Sequence, residues 1–281
     1  MLPDPEVTVL GDDPAHRNHA INGYAFQQDA ITSFIGWHLR YRYSIRGVAQ
    51  DPAAFEWSPS LFTPTLDYLP GLPSTHKHFG YVTYPRLGAL GDSTMFMSLR
   101  DGKAGLGSDH LYLYRSSTGF WEFVGTPLTG VQSNPYVHGW DFRDGRLHVT
   151  WVYRGFVHYE GWDDPNDTKH KQQAGPNGAE NNHNICYAYS EDLGYTWKNG
   201  QGSVIADLRK GETIDNSSEG IVAFEIPKGS GLMNQEAQAV DQDGGVHILN
   251  RDTLDGINVF VAAHVGDYID IMVLGSVWVP M

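Results

Sequence analysis

The stretch YAYSEDLGYTW, Tyr187 to Trp197, lies between two apolar runs, and its spacing decides how the chain folds. Ser190, Asp192, Gly194 and Thr196 alternate with other residues, and Trp197 closes the set. A carboxylate at Asp192 can accept the backbone N–H groups of a tight turn. Gly194 supplies the positive φ that such a turn needs. Trp197 then returns the chain to an apolar interior. The stretch therefore reads as strand, turn, strand, and its work is structural rather than chemical.

The pattern recurs outward from there. ICYAYSEDLGYTWKN (Ile185 to Asn199) is similar to HLYLYRSSTGFWEF (His110 to Phe123), where Ser, Gly and Trp are kept and Asp is not. Three further segments share a second layout. They are YPRLGALGDSTMFMSLRDG (Tyr84 to Gly102), HGWDFRDGRLHVTWVYRG (His138 to Gly155) and QAVDQDGGVHILNRDT (Gln238 to Thr253). Each runs from a strand through a glycine turn into a strand that ends in arginine. Tyr84, His138 and Gln238 each stand seven residues before the turn glycine. Gly91 to Arg100 and Gly145 to Arg154 both span nine residues, while Gly245 to Arg251 is shorter. From Arg100 to Trp121 is 21 residues and from Arg154 to Trp197 is 43, the excess being a polar loop at roughly residues 159–182. Long loops in compact domains are often functional. Four strands in about 50 residues is the layout of a β-propeller blade. An ordinary β-sandwich is the alternative, and the matched spacings disfavour it.

Composition agrees with an all-β chain. There are 32 Gly, 15 Tyr and 8 Trp in 281 residues, a mix suited to short strands and tight turns. No long amphipathic helical pattern occurs. The net charge of −14 opposes binding to nucleic acid or to anionic lipid. An anionic substrate would need a local cluster of Arg and His. Cys186 is the single cysteine, sits in an apolar strand and reads as inert core. The start, MLPDPEVTVLGDDP, shows no signal peptide, and no run suggests a membrane span. Asn166-Asp167-Thr168 and Asn216-Ser217-Ser218 fit the glycosylation sequon.

Candidate chemistry follows from the repeat. Arg100, Arg154 and Arg251 fall at equivalent strand ends, and Tyr84 and His138 at equivalent places before the turn. Arginines converging on one rim would make a carboxylate site. The plain alternative is that each pairs with an acid, since Asp101 follows Arg100 and Asp252 follows Arg251. Tyr136, Trp140, Trp37 and Trp162 are candidates for stacking on sugars. His76, His78, His110, His170 and His183 are candidate metal ligands, although no pair has a zinc-motif spacing. No cofactor is expected, with room left for a structural metal ion. His148 and His247 alternate with apolar neighbours and read as structural.

Ser190-x-Asp192-x-Gly194-x-Thr196-Trp197 resembles the Asp-box of sialidase-like propellers. FGYVTYPRL, LRDGKAGLGSDHLYLYR, GRLHVTWVYR, NNHNICYAYSEDLGYTW and GLMNQEAQAVD, across roughly residues 60–253, resemble the BNR-repeat propeller polysaccharide lyases, which include ulvan lyases and fungal rhamnosyl-glucuronate lyases. INGYAFQQDAITSF resembles the stretch that opens their first blade. The resemblance implies a seven-bladed fold and cleavage of uronate glycans by β-elimination. It implies that Tyr84 is an acid or base at the leaving oxygen, that Arg100 neutralises the uronate carboxylate, and that Arg154 is a further rim arginine. It also implies an acidic polysaccharide as partner and a typically secreted family. A monomer is expected.

Two departures stand out. The family's His-Asn motif, with an Asp-His-His about twenty residues later, has no counterpart between QQDAITSFIGW and HLRYRYS, which leaves His38 as the substitute histidine. After about Gly256 the blade pattern stops. Seven blades would need roughly 350 residues. The expectation is one propeller domain over 1–281, open and shortened to about five four-stranded blades. Residues 1–37 would be a first-blade remnant and 257–281 a divergent tail. On this basis Tyr84, Arg100, Arg154 and His38 are the catalytic candidates, and His138, Tyr136, Arg251 and Trp140 the substrate-binding ones. Two rival readings remain: a glycan-binding propeller without turnover, and a sialidase-type hydrolase. The second lacks an early arginine for its triad, with Glu219, Glu225 and Glu236 as its available acids.

Overall fold

Short apolar runs punctuated by glycine turns give up-and-down hairpins throughout. The computed structural model describes residues 38–48, 51–90, 94–102, 104–164, 176–234 and 237–251 with their side chains. It describes the backbone alone at 9–12, 18–22, 252–254, 257–265 and 269–274. Strands β1 (Val9–Asp12), β2 (Asn18–Asn22) and β3 (Arg40–Tyr43) form an antiparallel three-stranded sheet. Strands β4 (Thr83–Ala89), β5 (Thr94–Asp101), β6 (Ser108–Arg115) and β7 (Phe120–Leu128) form a four-stranded sheet in chain order.

A third sheet holds β8 (Ser133–Arg143), β9 (Arg146–Gly155), β10 (Asn182–Ser190), β11 (Thr196–Lys198) and β12 (Val204–Asp207), again in chain order, with β13 (Val222–Phe224) also paired to β10. The last sheet is β14 (Ala237–Val240), β15 (Val246–Leu254), β16 (Ile257–Val265) and β17 (Ile269–Leu274). The described residues thus form four antiparallel sheets, none closed on itself, in the all-β, blade-wise manner expected of an open propeller. Residues 257–265 and 269–274, within the stretch expected as a tail, pair in regular register with β15 and with each other. Most of the first-blade segment, Trp37 included, and His170 lie outside the described residues. No helix among the described residues is long and apolar enough to cross a membrane.

The three sequence repeats are hairpins: β4–β5, β8–β9 and β14–β15. In the second, Arg143 pairs with Arg146 across a turn whose Asp144 and Gly145 have φ of 48° and 78°. The Asp-box turn is built as its residues dictate. Asp192 Oδ1 accepts from the Thr196 N–H at 2.7 Å and from the Ser190 hydroxyl at 2.9 Å. The Ser190 hydroxyl accepts from the Gly194 N–H at 2.8 Å, and Gly194 has φ of 92°. Trp197 is fully buried, donates to the Gly194 carbonyl at 2.9 Å and meets Trp140 edge-on, centroids 5.5 Å apart.

By contacts the chain forms two compact units, residues 1–102 with 109–126, and 103–108 with 127–281. In the first, Met95, Met97 and Leu99 of β5 pack with Tyr41, Phe79, Tyr112 and Trp121. The Trp121 indole donates to the Tyr41 hydroxyl at 3.1 Å, which satisfies a buried polar group. In the second, Trp151, Tyr153, Ile185, Cys186, Trp197, Leu147 and Val149 are each buried. Cys186 has no exposed surface, and burial holds its thiol far above the ordinary range.

Candidate functional site

The first unit carries one polar group of interest at the β4–β5 end. Thr83 pairs with Arg100, and Arg86 with Ser98, so Tyr84 and Pro85 together oppose the single residue Leu99. This is a β-bulge, a device that re-aims side chains. Tyr84 pays for it with φ of 52°, in the left-handed region that costs an ordinary residue about 1 kcal/mol or more. Strain of that kind gathers at functional positions. Arg100 is 4% exposed. Its Nη1 donates to the Thr83 hydroxyl at 3.2 Å and to the Gly102 carbonyl at 3.4 Å. The Thr83 hydroxyl in turn donates to the Arg100 carbonyl at 3.1 Å.

Arg86 and Asp109 belong to the same neighbourhood. Burial lowers the Arg86 pKa, while Asp109 and the Tyr84 phenol act electrostatically to raise it. Burial pushes the Asp109 carboxyl up to about 8, against the pull of Arg86, Ser98 and Arg100. The unit therefore sets a phenol, two guanidiniums and a buried carboxyl at one strand end.

A second polar group adjoins the first. The Nδ1 of His78, in the loop before β4, donates to Asp101 Oδ2 at 2.7 Å when protonated. His110 Nε2, from β6, lies 2.7 Å from Asp101 Oδ1. The two imidazoles stack with centroids 3.5 Å apart, and His110 Nδ1 meets the Thr126 hydroxyl at 2.9 Å. The three donor atoms lie within 4.8 Å of one another, a grouping able to hold a metal ion. For Asp101 burial works upward, yet the two imidazoles outweigh it and hold the carboxyl well below its usual range. Burial lowers the His110 pKa.

The second unit contains Arg154, also 4% exposed. Its guanidinium lies over the Tyr136 ring, 4.5 Å from the centroid, and donates to the Tyr136 hydroxyl at 3.3 Å. It also donates to Asn182 Oδ1 at 2.9 Å, to the Asn177 carbonyl at 3.1 Å and to Asn234 Oδ1. Asn177 belongs to the end of the polar loop expected from the sequence and is itself buried. Its side chain clamps residue 157 through both the N–H and the carbonyl, at 2.6 and 3.0 Å.

The remaining candidates are placed as follows. His38 has its Nδ1 3.1 Å from the Leu39 carbonyl and its Nε2 3.3 Å from the Ser74 carbonyl, an arrangement that anchors the ring to backbone. His138 is not equivalent to Tyr84. It occupies its own bulge, between the Val137–Trp151 and Gly139–Thr150 pairs, several rows inward from the Asn134–Arg154 pair. It is buried, and its nitrogens lie 3.4 Å from the Thr150 hydroxyl and 3.1 Å from the Asn250 amide, which suits packing between the third and last sheets.

Trp140 pairs with Val149, five rows from Arg154 and so about 17 Å along the strand, where it packs on the Asp-box tryptophan. Arg251 lies inside β15 opposite Phe260 rather than at the strand end, and donates to the Gly231 carbonyl at 3.2 Å. Tyr84 and Arg100 thus belong to the first unit, and Arg154 with Tyr136 to the second. Arg86, Asp109 and the amides around Arg154 escape the sequence reading. Their one signal was charge or amide placed beside apolar strands, as in Ser108-Asp109-His110 before LYLY.

Comparison with known proteins assigns these sheets. The family model described as BNR repeat-containing family member matches residues 13–268. The chain belongs to the BNR repeat-containing family. No curated protein matches it in sequence. Among solved structures, this BNR-repeat chain is similar in fold to the polysaccharide lyase Uly1, with a TM-score of 0.64 at 16% identity over 94% of this chain and 59% of that one. It is also similar to a family 25 polysaccharide lyase, an ulvan lyase bound to -[GlcA(1-4)Rha3S]-, with a TM-score of 0.62 at 11% identity over 94% of this chain and 56% of that one. The BNR-repeat chain therefore spans less than two thirds of the length of either lyase.

Proposed function

We propose that this BNR-repeat protein is a polysaccharide lyase that cleaves a uronate-containing glycan by β-elimination, with the chemistry at the β4–β5 end. The supporting observation is the bulge that holds Tyr84 at φ of 52° beside the Thr83–Arg100 pair. The fold likeness to two polysaccharide lyases, one of them bound to a glucuronate–rhamnose chain, supports the same class.

In β-elimination a base removes the uronate C5 proton, the bond from C4 to the leaving oxygen breaks, a C4–C5 double bond forms and the leaving oxygen takes a proton. The C5 proton is very weakly acidic while the neighbouring carboxylate carries its full charge. Arg100, buried and held by Thr83 and Gly102, is suited to offset that charge as the carbanion-like transition state develops. Tyr84 is the acid or base at the reacting centre, with the Arg86 guanidinium in electrostatic contact with it.

The test is the ultraviolet absorbance of an unsaturated uronate on incubation with glucuronate-containing polysaccharides. Tyr84→Phe is expected to lower kcat by about 100-fold or more with little change in Tm. Arg100→Gln should lower kcat/KM strongly. Absence of the chromophore on every uronate glycan tried would dismiss the lyase reading.

A second reading, glycan binding without turnover, is favoured by the placement of His38, whose nitrogens both face backbone carbonyls. Glycan binding unchanged in Tyr84→Phe, with no chromophore in the wild type, would support it.

A further inference from the structure

We propose that His78, Asp101 and His110 form a binding site for one first-row divalent transition metal ion, zinc being the best match, which ties the loop before β4 to the ends of β5 and β6. Such a site would be independent of the lyase chemistry.

The first observation is convergence. The ligand atoms come from three separate segments, 23 residues apart between His78 and Asp101 and a further nine to His110, yet lie within 4.8 Å of one another. The second is direction. The contact from His78 to Asp101 is an aligned hydrogen bond at 2.7 Å. The contact from His110 Nε2 to Asp101 Oδ1 is equally short, so both imidazoles turn a ring nitrogen toward one carboxylate. A cation that displaces the shared protons can meet the carboxylate and both nitrogens at once. The third is orientation from behind. The Thr126 hydroxyl at His110 Nδ1 holds the ring with Nε2 toward Asp101, the kind of outer support that metal-bound imidazoles receive.

The donor set chooses the metal. Two imidazole nitrogens and one carboxylate oxygen suit Zn²⁺ and its first-row neighbours, which accept three protein ligands and leave a position for water. Ca²⁺ and Mg²⁺ prefer oxygen donors throughout. His110 is buried, but the side chains of Asp101 and His78 keep 24% and 12% of their surface, which gives an ion a way in. Only short adjustments are needed: a metal at about 2.0 to 2.2 Å from each ligand holds them further apart than 2.7 Å. Asp101 follows Arg100 directly, so an ion here would also stiffen the strand end that presents that guanidinium.

The full chain, stripped with chelator, is titrated with Co²⁺ and then with Zn²⁺. Expected are one equivalent of Co²⁺ with the visible absorption of a low-coordinate site, its displacement by Zn²⁺, and a rise in Tm with either metal. His78→Asn and Asp101→Asn should each weaken Co²⁺ binding by about 100-fold or more, while His247→Asn should not change it. X-ray absorption of the wild-type zinc form, which needs no variant to fold, should show two imidazoles and a carboxylate oxygen. Failure of the wild type to take up Co²⁺ or Zn²⁺, a ligand set without two imidazoles, or binding by both variants equal to wild type overturns the proposal and leaves the cluster a hydrogen-bonded clamp.

Discussion

His148 shows what a single buried titratable side chain does to the whole protein. It lies in β9 with its Nδ1 2.9 Å from the Tyr187 hydroxyl and almost no exposed surface. Burial pushes its pKa down to about 4, with Asp141 pulling it up and Arg146 pushing it down. The unfolded chain would take up a proton near pH 6.5, and the folded chain only near 4. The folded pKa is the lower one, so this contribution is complete above pH 6.5 and is lost as the pH falls toward 4. The loss is about 3 kcal/mol at most. His148→Gln keeps a partner for Tyr187 and cannot titrate. Thermal melts between pH 4 and 7 should show a flatter decline for this variant than for the wild type. An identical pH profile would mean that the folded imidazole takes up its proton at the same pH as the unfolded one. The structural reading of His148 needed only its alternation with Leu147 and Val149, whereas the strain at Tyr84 lay in backbone angles that no residue type announces.

At the scale of the hairpin, the Asp-box turn is the element whose sequence and geometry agree most fully. Each of its side chains does the work its chemistry suggests, and all of it is local: Ser190 and Asp192 feed the turn amides, Gly194 bends it, and Trp197 closes it. Asp192→Ala leaves two donors without an acceptor and should cost about 1–2 kcal/mol in urea denaturation. The β4–β5 hairpin is different. Its existence was legible from the glycine turn and the terminal arginine, but its bulge was not. A bulge shifts register by one residue, and the alternation of polar and apolar side chains near Tyr84 is too short to reveal it. The same shift, in a different row, separates His138 from the place its distance to the turn glycine suggests. Counting along the chain found the strands and missed the rows.

For the molecule as a whole, the repeated antiparallel sheets were visible in spacing, because each repeat carries its own turn signals, while the family was visible in the resemblance of its motifs. His78 and His110 stood among the candidate ligands, but their convergence on Asp101 was not legible, because it is made by packing between segments that share no motif. Charge acts at this largest scale. With a net charge of −14, the chain repels a polyanion at distance and can attract it only close to its arginines. Screening shortens the repulsion first, since the Debye length falls from about 30 Å at 0.01 M salt to about 10 Å at 0.1 M. Association with an acidic polysaccharide should therefore quicken as salt rises over that range, as stopped-flow or biosensor measurement would report. A steep slowing instead would mean that the local cationic field already dominates.

Cys186 has one more consequence. It lies in the middle of β10, between β9 on one side and β13 on the other, with no accessible surface and a thiol that stays protonated at any ordinary pH. A water-soluble alkylating reagent can reach its sulfur only when those strands part. Because the sequence holds no other cysteine, the rate of covalent labelling serves as a built-in clock for the opening of that sheet, readable by mass in the unaltered protein.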